Sequence, residues 1–180
     1  MGVSMPKITI SGHPGSGTSS LVKGLMEHYN WSSINGGQIF RDEAKVRNLS
    51  LAEFGKLCHD DESVDRELDE KLKQFITAGE IEIVESRLSG WWAYKLEVDC
   101  VRLWLDVSDN ERANRVVGRE GISFEQALKE NTDRTNIDLQ RYEAMYGLNP
   151  EQKEPYTHVV DATHIGLDEV LSLTLEILEG

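Results

Sequence analysis

The chain has 180 residues, of which 39% are hydrophobic and 28% charged, with a formal net charge of −13. That length suits one domain with a sizeable core and room for inserted lobes. The acidic balance argues against nucleic acid or an anionic membrane as a partner, so any phosphate must be held by local arginines and backbone amides.

In chain order, Met1–Ser4 reads as a short leader without the basic and apolar regions of a signal peptide. MGVSMP starts like a myristoylation signal, but Pro6 stands where Ser or Thr is needed. Lys7–Ser11 (KITIS) is a β-branched strand that runs into the glycine-rich GHPGSGTSS. A helix follows over Ser19–Tyr29, with Leu21, Val22, Leu25 and Met26 at helical spacing. Trp31–Ile34 is a short strand, and Gln38–Arg47 a helix. Ser50 and Glu53 have the spacing of a capping box that opens a helix to about Leu57. Cys58–Glu62 (CHDDE) reads as a solvated helix end, because consecutive residues cannot form a structural zinc site. Ser63–Ala78 is a helix that Gly79 is placed to end.

Glu80–Ser86 (EIEIVES) is a buried strand, followed by Trp91 and Trp92, read as packing residues. Cys100 and Cys58 have no CxxC partner and read as reduced thiols of a cytoplasmic protein. Asp99–Val107 is a strand, and Ser108 or Asp109 caps a helix towards Arg119 that Gly121 breaks. Ser123 and Gln126 suggest a second capping box at the start of a long polar helix to about Tyr146. A loop, a last strand in YTHVVDA and a helix over Leu167–Leu178 complete the chain. No apolar run approaches a membrane span. Strands alternating with helices predict an α/β fold with a mainly parallel, five-stranded sheet covered on both faces. The helix-rich stretch 36–79 looks like a lobe inserted between two strands.

The glycine-rich segment is nearly the phosphate loop GxxxxGK[ST]. It follows a strand and opens a helix, so Gly12, His13, Pro14, Gly15, Ser16, Gly17, Thr18, Ser19 and Ser20 are the candidate phosphate-binding residues. Gly15 and Gly17 permit positive φ and close approach of the backbone to phosphates. Ser19 stands where a Mg²⁺-binding hydroxyl belongs. Thr18 stands where lysine is expected, and loss of a preorganised donor typically costs a few kcal/mol. An arginine delivered to the transferred group is worth about 10³–10⁵ in rate, so converging arginines can make up the deficit. Candidates are Arg41 after Gly36 and Gly37, Arg87 at a strand end, Arg115 and Arg119 four apart, and Arg134, Asp138 and Arg141 on one helix stripe. Arg102 and Arg112 read as surface residues. On these residues alone, a phosphoryl-transfer enzyme and a non-catalytic nucleotide-binding module both remain open, with Thr18 the chief support for the second.

Together these stretches resemble the nucleoside monophosphate kinases, most closely the archaeal type of cytidylate kinase. The resemblance runs over nearly the whole chain after Met5, through ITISGHPGSGTSS, INGGQIFRDEA, LAEFGK, DRELDEKL, VESRLSGWWA and DRTNIDLQRYEAMYGLN. It implies a P-loop three-layer α/β/α core (5–35, 80–117, 155–180), a helical monophosphate-binding lobe (36–79), and a short lid with its following helix (118–148). It implies transfer of the γ-phosphate of ATP to CMP, with Mg²⁺ held by Ser19 and by Glu85, the latter directly or through water. Gly37, Arg41, Arg87, Arg134, Asp138 and Arg141 would bind CMP, and Arg115, Arg119, Arg134 and Arg141 would act on the transferred group. A monomer is the default. Kinases of UMP, AMP or shikimate are the alternatives within the same chemistry, because reading cytosine requires a positioned acceptor for its amine.

Overall fold

The computed structural model describes residues 5–180, so the expected leader and the excluded myristoylation start lie outside the described residues. The strands are β1 (Ile8–Gly12), β2 (Ser33–Asn35), β3 (Ile83–Glu85), β4 (Val101–Asp106) and β5 (His158–Asp161). The helices are α1 (Thr18–Tyr29), α2 (Gly36–Val46), α3 (Leu51–Asp60), α4 (Glu62–Ala78), α5 (Ser89–Lys95), α6 (Asp109–Glu120), α7 (Phe124–Tyr146) and α8 (Leu167–Glu179). All strand pairs are parallel, in the order β2-β3-β1-β4-β5. The α/β class and the five-stranded parallel sheet are as the alternation of strands and helices predicts.

β1 is buried along its whole length at the centre of the sheet. Its side chains alternate between two clusters, as strand geometry requires. Ile8 and Ile10 join Leu21, Leu25, Leu103 and Leu105 beneath α1 and α8. On the other face Ser11 meets Ser89 at the start of α5, Oγ to Oγ 3.1 Å. Ile10 pairs with Glu85 of β3, and Gly12 with Leu105 of β4. The C-terminal ends of β1, β2 and β3 therefore lie side by side, and this edge is where ligands bind in open parallel sheets.

Helix α5 is absent from the sequence reading. No side chain caps its start at Leu88. Ser89 Oγ is instead held by Ser11 and by the backbone N–H of Ser86, which donates to it at 3.2 Å, so β1 secures the helix from a distance. Trp91 and Trp92 are buried in a cluster with Ile39, Leu72, Ile76 and Val84, as their reading as packing residues predicts. Trp91 Nε1 donates to the Asn149 carbonyl at 2.9 Å, and the Lys73 ammonium stands 4.3 Å from the Trp92 ring centre.

The capping box at Ser50 and Glu53 is complete in both directions. At Ser123 only half of it forms, because the Gln126 side chain donates to Glu130 one turn on. Cys58 is a further correction. It is buried with Phe54, Ala44 and Val64 between α2, α3 and α4, whereas His59 and Asp60 are exposed, so the CHDDE run does not share one face.

Candidate functional site

The loop after β1 turns on two glycines in the left-handed region, Gly15 at φ 83° and Gly17 at φ 90°. A Cβ on Gly15 would also come within 3.1 Å of the Arg112 carbonyl, so α6 packs directly on the loop there. Ser16 donates through its N–H (3.1 Å) and its hydroxyl to the His13 carbonyl, closing the turn. Thr18 places its methyl against Gly12, and the chain enters α1 with Ser19 and Ser20 exposed.

Two arginines of α6 bond to the back of this loop. Arg112 Nη1 donates to the Pro14 carbonyl at 3.1 Å, and Arg115 Nη1 to the Ser16 carbonyl at 2.9 Å. In a trans peptide the N–H points opposite the C=O. With the carbonyls of Pro14 and Ser16 turned to the arginines, the N–H groups of Gly15 and Gly17 point away from α6, the orientation an anion cradle at a helix N-terminus requires. Arg115 Nη2 also donates to the Ala162 carbonyl at 2.8 Å, tying the loop to the end of β5.

Arg112 therefore corrects its reading as a surface residue: it is only 3% exposed, with Asp109 Oδ1 accepting from Nη2 at 2.6 Å. Arg102, the other residue so read, is partly buried. Its Nε donates to the Pro155 carbonyl at 2.6 Å and fastens the approach to β5. His13 contributes backbone to the loop, but its ring turns aside. Nε2 lies 2.7 Å from Glu151 Oε1, and the ring meets Trp104 edge-on at 5.0 Å. Burial, opposed by Glu151 and aided by Arg112, holds the His13 imidazole below its ordinary pKa.

Across the sheet edge, Asn35 caps α2 by accepting from the Gln38 N–H at 2.7 Å. The helix thus presents the N-terminal amides of Gly36 and Gly37. Arg41 folds back to this end: Nη1 lies 3.3 Å from where a Gly37 Cβ would stand, and Nη2 donates to Gln38. A cation beside a helix N-terminus favours an anion such as a phosphate.

The structure brings Arg87, Asp138 and Arg141 together. Arg87 Nε lies 3.4 Å from Asp138 Oδ2, and Arg141 Nη2 lies 3.9 Å from Asp138 Oδ1. Sequence reasoning missed Asp65, which joins them from α4 with Oδ2 3.2 Å from Arg141 Nη1. Burial raises the Asp65 carboxyl pKa, against the opposing pull of Arg141. Arg141 also donates to the Tyr142 hydroxyl at 3.2 Å. Arg119 and Arg134 stand apart from this group, exposed on α6 and α7, and among the described residues Arg119 pairs only with Glu120 at 3.3 Å.

The oxygens available to a hard cation are the exposed Ser19 hydroxyl and the Glu85 carboxylate at the end of β3. Neither makes a side-chain hydrogen bond or ion pair among the described residues, and oxygen donors of this kind suit Mg²⁺.

Three comparisons bear on this arrangement. An AAA domain family model matches residues 8–138. A cytidylate kinase of Halobacterium salinarum is 35% identical over 173 residues, covering 96% of this chain and 89% of its own. One of Thermococcus kodakarensis is 38% identical over 174 residues, with 94% and 88% covered. Among solved structures, a gluconokinase of Sinorhizobium meliloti superimposes with a TM-score of 0.61 at 18% identity, over 97% of this chain and 91% of that one. A shikimate kinase of Bacteroides thetaiotaomicron gives 0.58 at 12% identity, over 98% and 100%. At such identities the structural matches speak for the fold alone.

Proposed function

The chain belongs to the cytidylate kinase family of P-loop phosphotransferases, and from that premise we propose how its residues divide the work of the reaction. It is an enzyme that transfers the γ-phosphate of ATP to CMP, giving CDP and ADP. The observation that carries the division is the double hold of Arg112 and Arg115 on the phosphate loop, set apart from Arg41 at the start of α2 and from the ion-paired Arg87 and Arg141.

The amides of Gly15 to Ser20 take the donor phosphates. Ser19 and Glu85 would hold Mg²⁺, which would supply positive charge against those phosphates. The α2 N-terminus, with Gly37 and Arg41, takes the acceptor phosphate, and Arg87 leaves Asp138 to join it. Asp138, Arg134 and Arg141 contact the acceptor nucleotide. Arg119 and Arg134 are exposed, so they reach the transferred group only when the 118–148 segment closes as a lid over the 36–79 lobe. Closure also excludes water, which would otherwise hydrolyse ATP. The acceptor phosphate oxygen is already a nucleophile near neutral pH, so the chemistry consists of in-line positioning and charge neutralisation, with no general base.

Among the described residues no helix is long and apolar enough to cross a membrane, and Cys58 and Cys100 are free thiols. These fit a cytoplasmic protein, which is part of the same proposal, with a monomer as its default state.

The test is a coupled ADP-release assay with Mg·ATP against CMP, dCMP, UMP, AMP and GMP, with a no-acceptor control. Turnover concentrated on cytidine monophosphates is expected. Intact ATP binding without acceptor-dependent turnover would overturn the assignment.

A further inference from the structure

The wall between α4 and α7 holds more carboxylate than a phosphate site can use. Asp65, Asp69 and Asp138 stand there with Arg87 and Arg141. Each acid close to a bound phosphate would repel it, so this set suits a ligand that also brings hydrogen-bond donors.

The three acids differ in what they have left to accept. Asp69 Oδ2 is taken by the Tyr146 hydroxyl at 2.5 Å. Asp138 is shared between Arg87 and Arg141. Asp65 is 8% exposed, and its only side-chain partner among the described residues is Arg141 Nη1, 3.2 Å from Oδ2 and 3.4 Å from Oδ1. An ionised carboxylate can accept about four hydrogen bonds, so most of the capacity of Asp65 is unfilled in a place with little water. Its position is nonetheless fixed. Arg141 is itself held on its second nitrogen by the Tyr142 hydroxyl at 3.2 Å, and Val64 and Leu72 anchor α4 on either side.

We propose that Asp65 reads the acceptor base, accepting a hydrogen bond from the exocyclic amine of a 4-aminopyrimidine, with Arg141 as the residue that positions it. The inference rests on CMP being the acceptor. A uracil ring would bring a carbonyl oxygen to the same place, so two sets of lone pairs would face each other and the buried carboxylate would be left unpaired. Burial pushes the Asp65 carboxyl up while Arg141 opposes the shift, as expected of an acid kept dry beside its partner.

The test measures kcat/KM for CMP, for UMP, and for the 2-pyrimidinone ribonucleoside monophosphate, which carries hydrogen in place of the amine. The proteins are wild type, Asp65→Ala, Asp65→Asn and, as control, Asp69→Asn. Wild type should prefer CMP over the des-amino substrate by roughly 10²-fold, the scale of a hydrogen bond to a charged group. That preference should collapse to about threefold or less in Asp65→Ala and persist in Asp69→Asn. Asp65→Asn should shift the balance towards UMP, because its amide N–H can donate to the uracil oxygen. Equal losses on all three substrates in the Asp65 variants would overturn the proposal, since they would mean a contact with the ribose or a structural role. Should the variants fail to fold, wild type decides alone: equal kcat/KM for CMP and the des-amino substrate also overturns it. Failure of the underlying reading looks different, namely no wild-type turnover of CMP above the no-acceptor control.

Discussion

At the donor loop, Arg112 and Arg115 are hydrogen-bonded to backbone carbonyls, at 3.1 and 2.9 Å; across the sheet edge, Arg87 and Arg141 stand as ion pairs with carboxylates, at 3.4 and 3.2 Å, and Arg87 Nε has no hydrogen-bond partner among the described residues. A carbonyl turned by an arginine fixes the amide behind it, so the donor loop is shaped before any nucleotide arrives. A carboxylate pairing an arginine keeps that arginine neutralised, so on the proposed division Arg87 would leave Asp138 when the acceptor phosphate binds, while Arg141 would stay on Asp65. The two halves thus hold their arginines differently, one by backbone carbonyls that fix the loop and the other by carboxylates that stand as placeholders. The contrast also bears on Thr18. On the proposed division, the donor half would do without the loop lysine because its shape is held from α6.

Arg87→Ala should sharpen the contrast most. It removes a charge from the acceptor phosphate and leaves Asp138 with the longer 3.9 Å contact to Arg141, so kcat/KM for CMP should fall by about 10³–10⁵, while ATP affinity in a titration stays near wild type. A comparable loss of ATP affinity would break the division between the halves. Phe54→Ala should come next, as a stability effect. Phe54 is fully buried between α2, α3 and α4, and its loss should cost about 3–5 kcal/mol in denaturant unfolding.

Arg112→Met should then raise KM for ATP and lower kcat, together by about 10²-fold, the scale of one preorganised donor set. Arg112→Lys should recover part of this. A lower melting temperature with unchanged kcat and KM would make Arg112 merely structural. Thr18→Lys is expected to do least to turnover, changing kcat/KM by about tenfold or less; a gain far above that would show the donor half to be incomplete as it stands.

The smallest effect is on acid stability. Burial depresses the folded-state pKa of His13, so the unfolded chain binds the proton more readily. The His13 contribution to stability is neutral above the ordinary histidine value of 6.5 and becomes unfavourable as pH falls through it, levelling off below the depressed folded value. His13→Gln should therefore lose less stability than wild type between pH 7 and pH 5 in parallel urea titrations. Identical slopes would remove His13 from the account.

Much of this was legible in the sequence. The β-branched KITIS before a dense glycine run marked β1 and the loop, and Ser50 with Glu53 marked a capping box that forms in full. Helix α5 was not legible, because its start depends on Ser11, far away in sequence. The sequence alone marks Arg115 as a candidate and Arg112 as a surface residue, since it does not show which face of α6 meets the loop. One signal existed: Arg112 lies one turn before the buried Val116. Asp65 carried a similar mark, because Asp65, Asp69, Leu72 and Ile76 follow one helical stripe of α4, and an acid on an apolar stripe is a buried acid. What no pattern could supply was the partner of each charge, which the packing of α4 against α7 decides.

The most direct test of the two-halves account is a pair of crystal structures, one with an ATP analogue and Mg²⁺ alone, the other with CMP alone. The account predicts that with the donor the backbone of residues 12–20 stays within about 1 Å of its present course, with Arg112 still on Pro14 and Arg115 still on Ser16. With CMP, the 3.4 Å contact between Arg87 and Asp138 should be gone and Arg87 should lie on the acceptor phosphate. A donor complex in which the loop peptides flip and both α6 arginines leave their carbonyls, beside a CMP complex that keeps the Arg87–Asp138 pair, would contradict it.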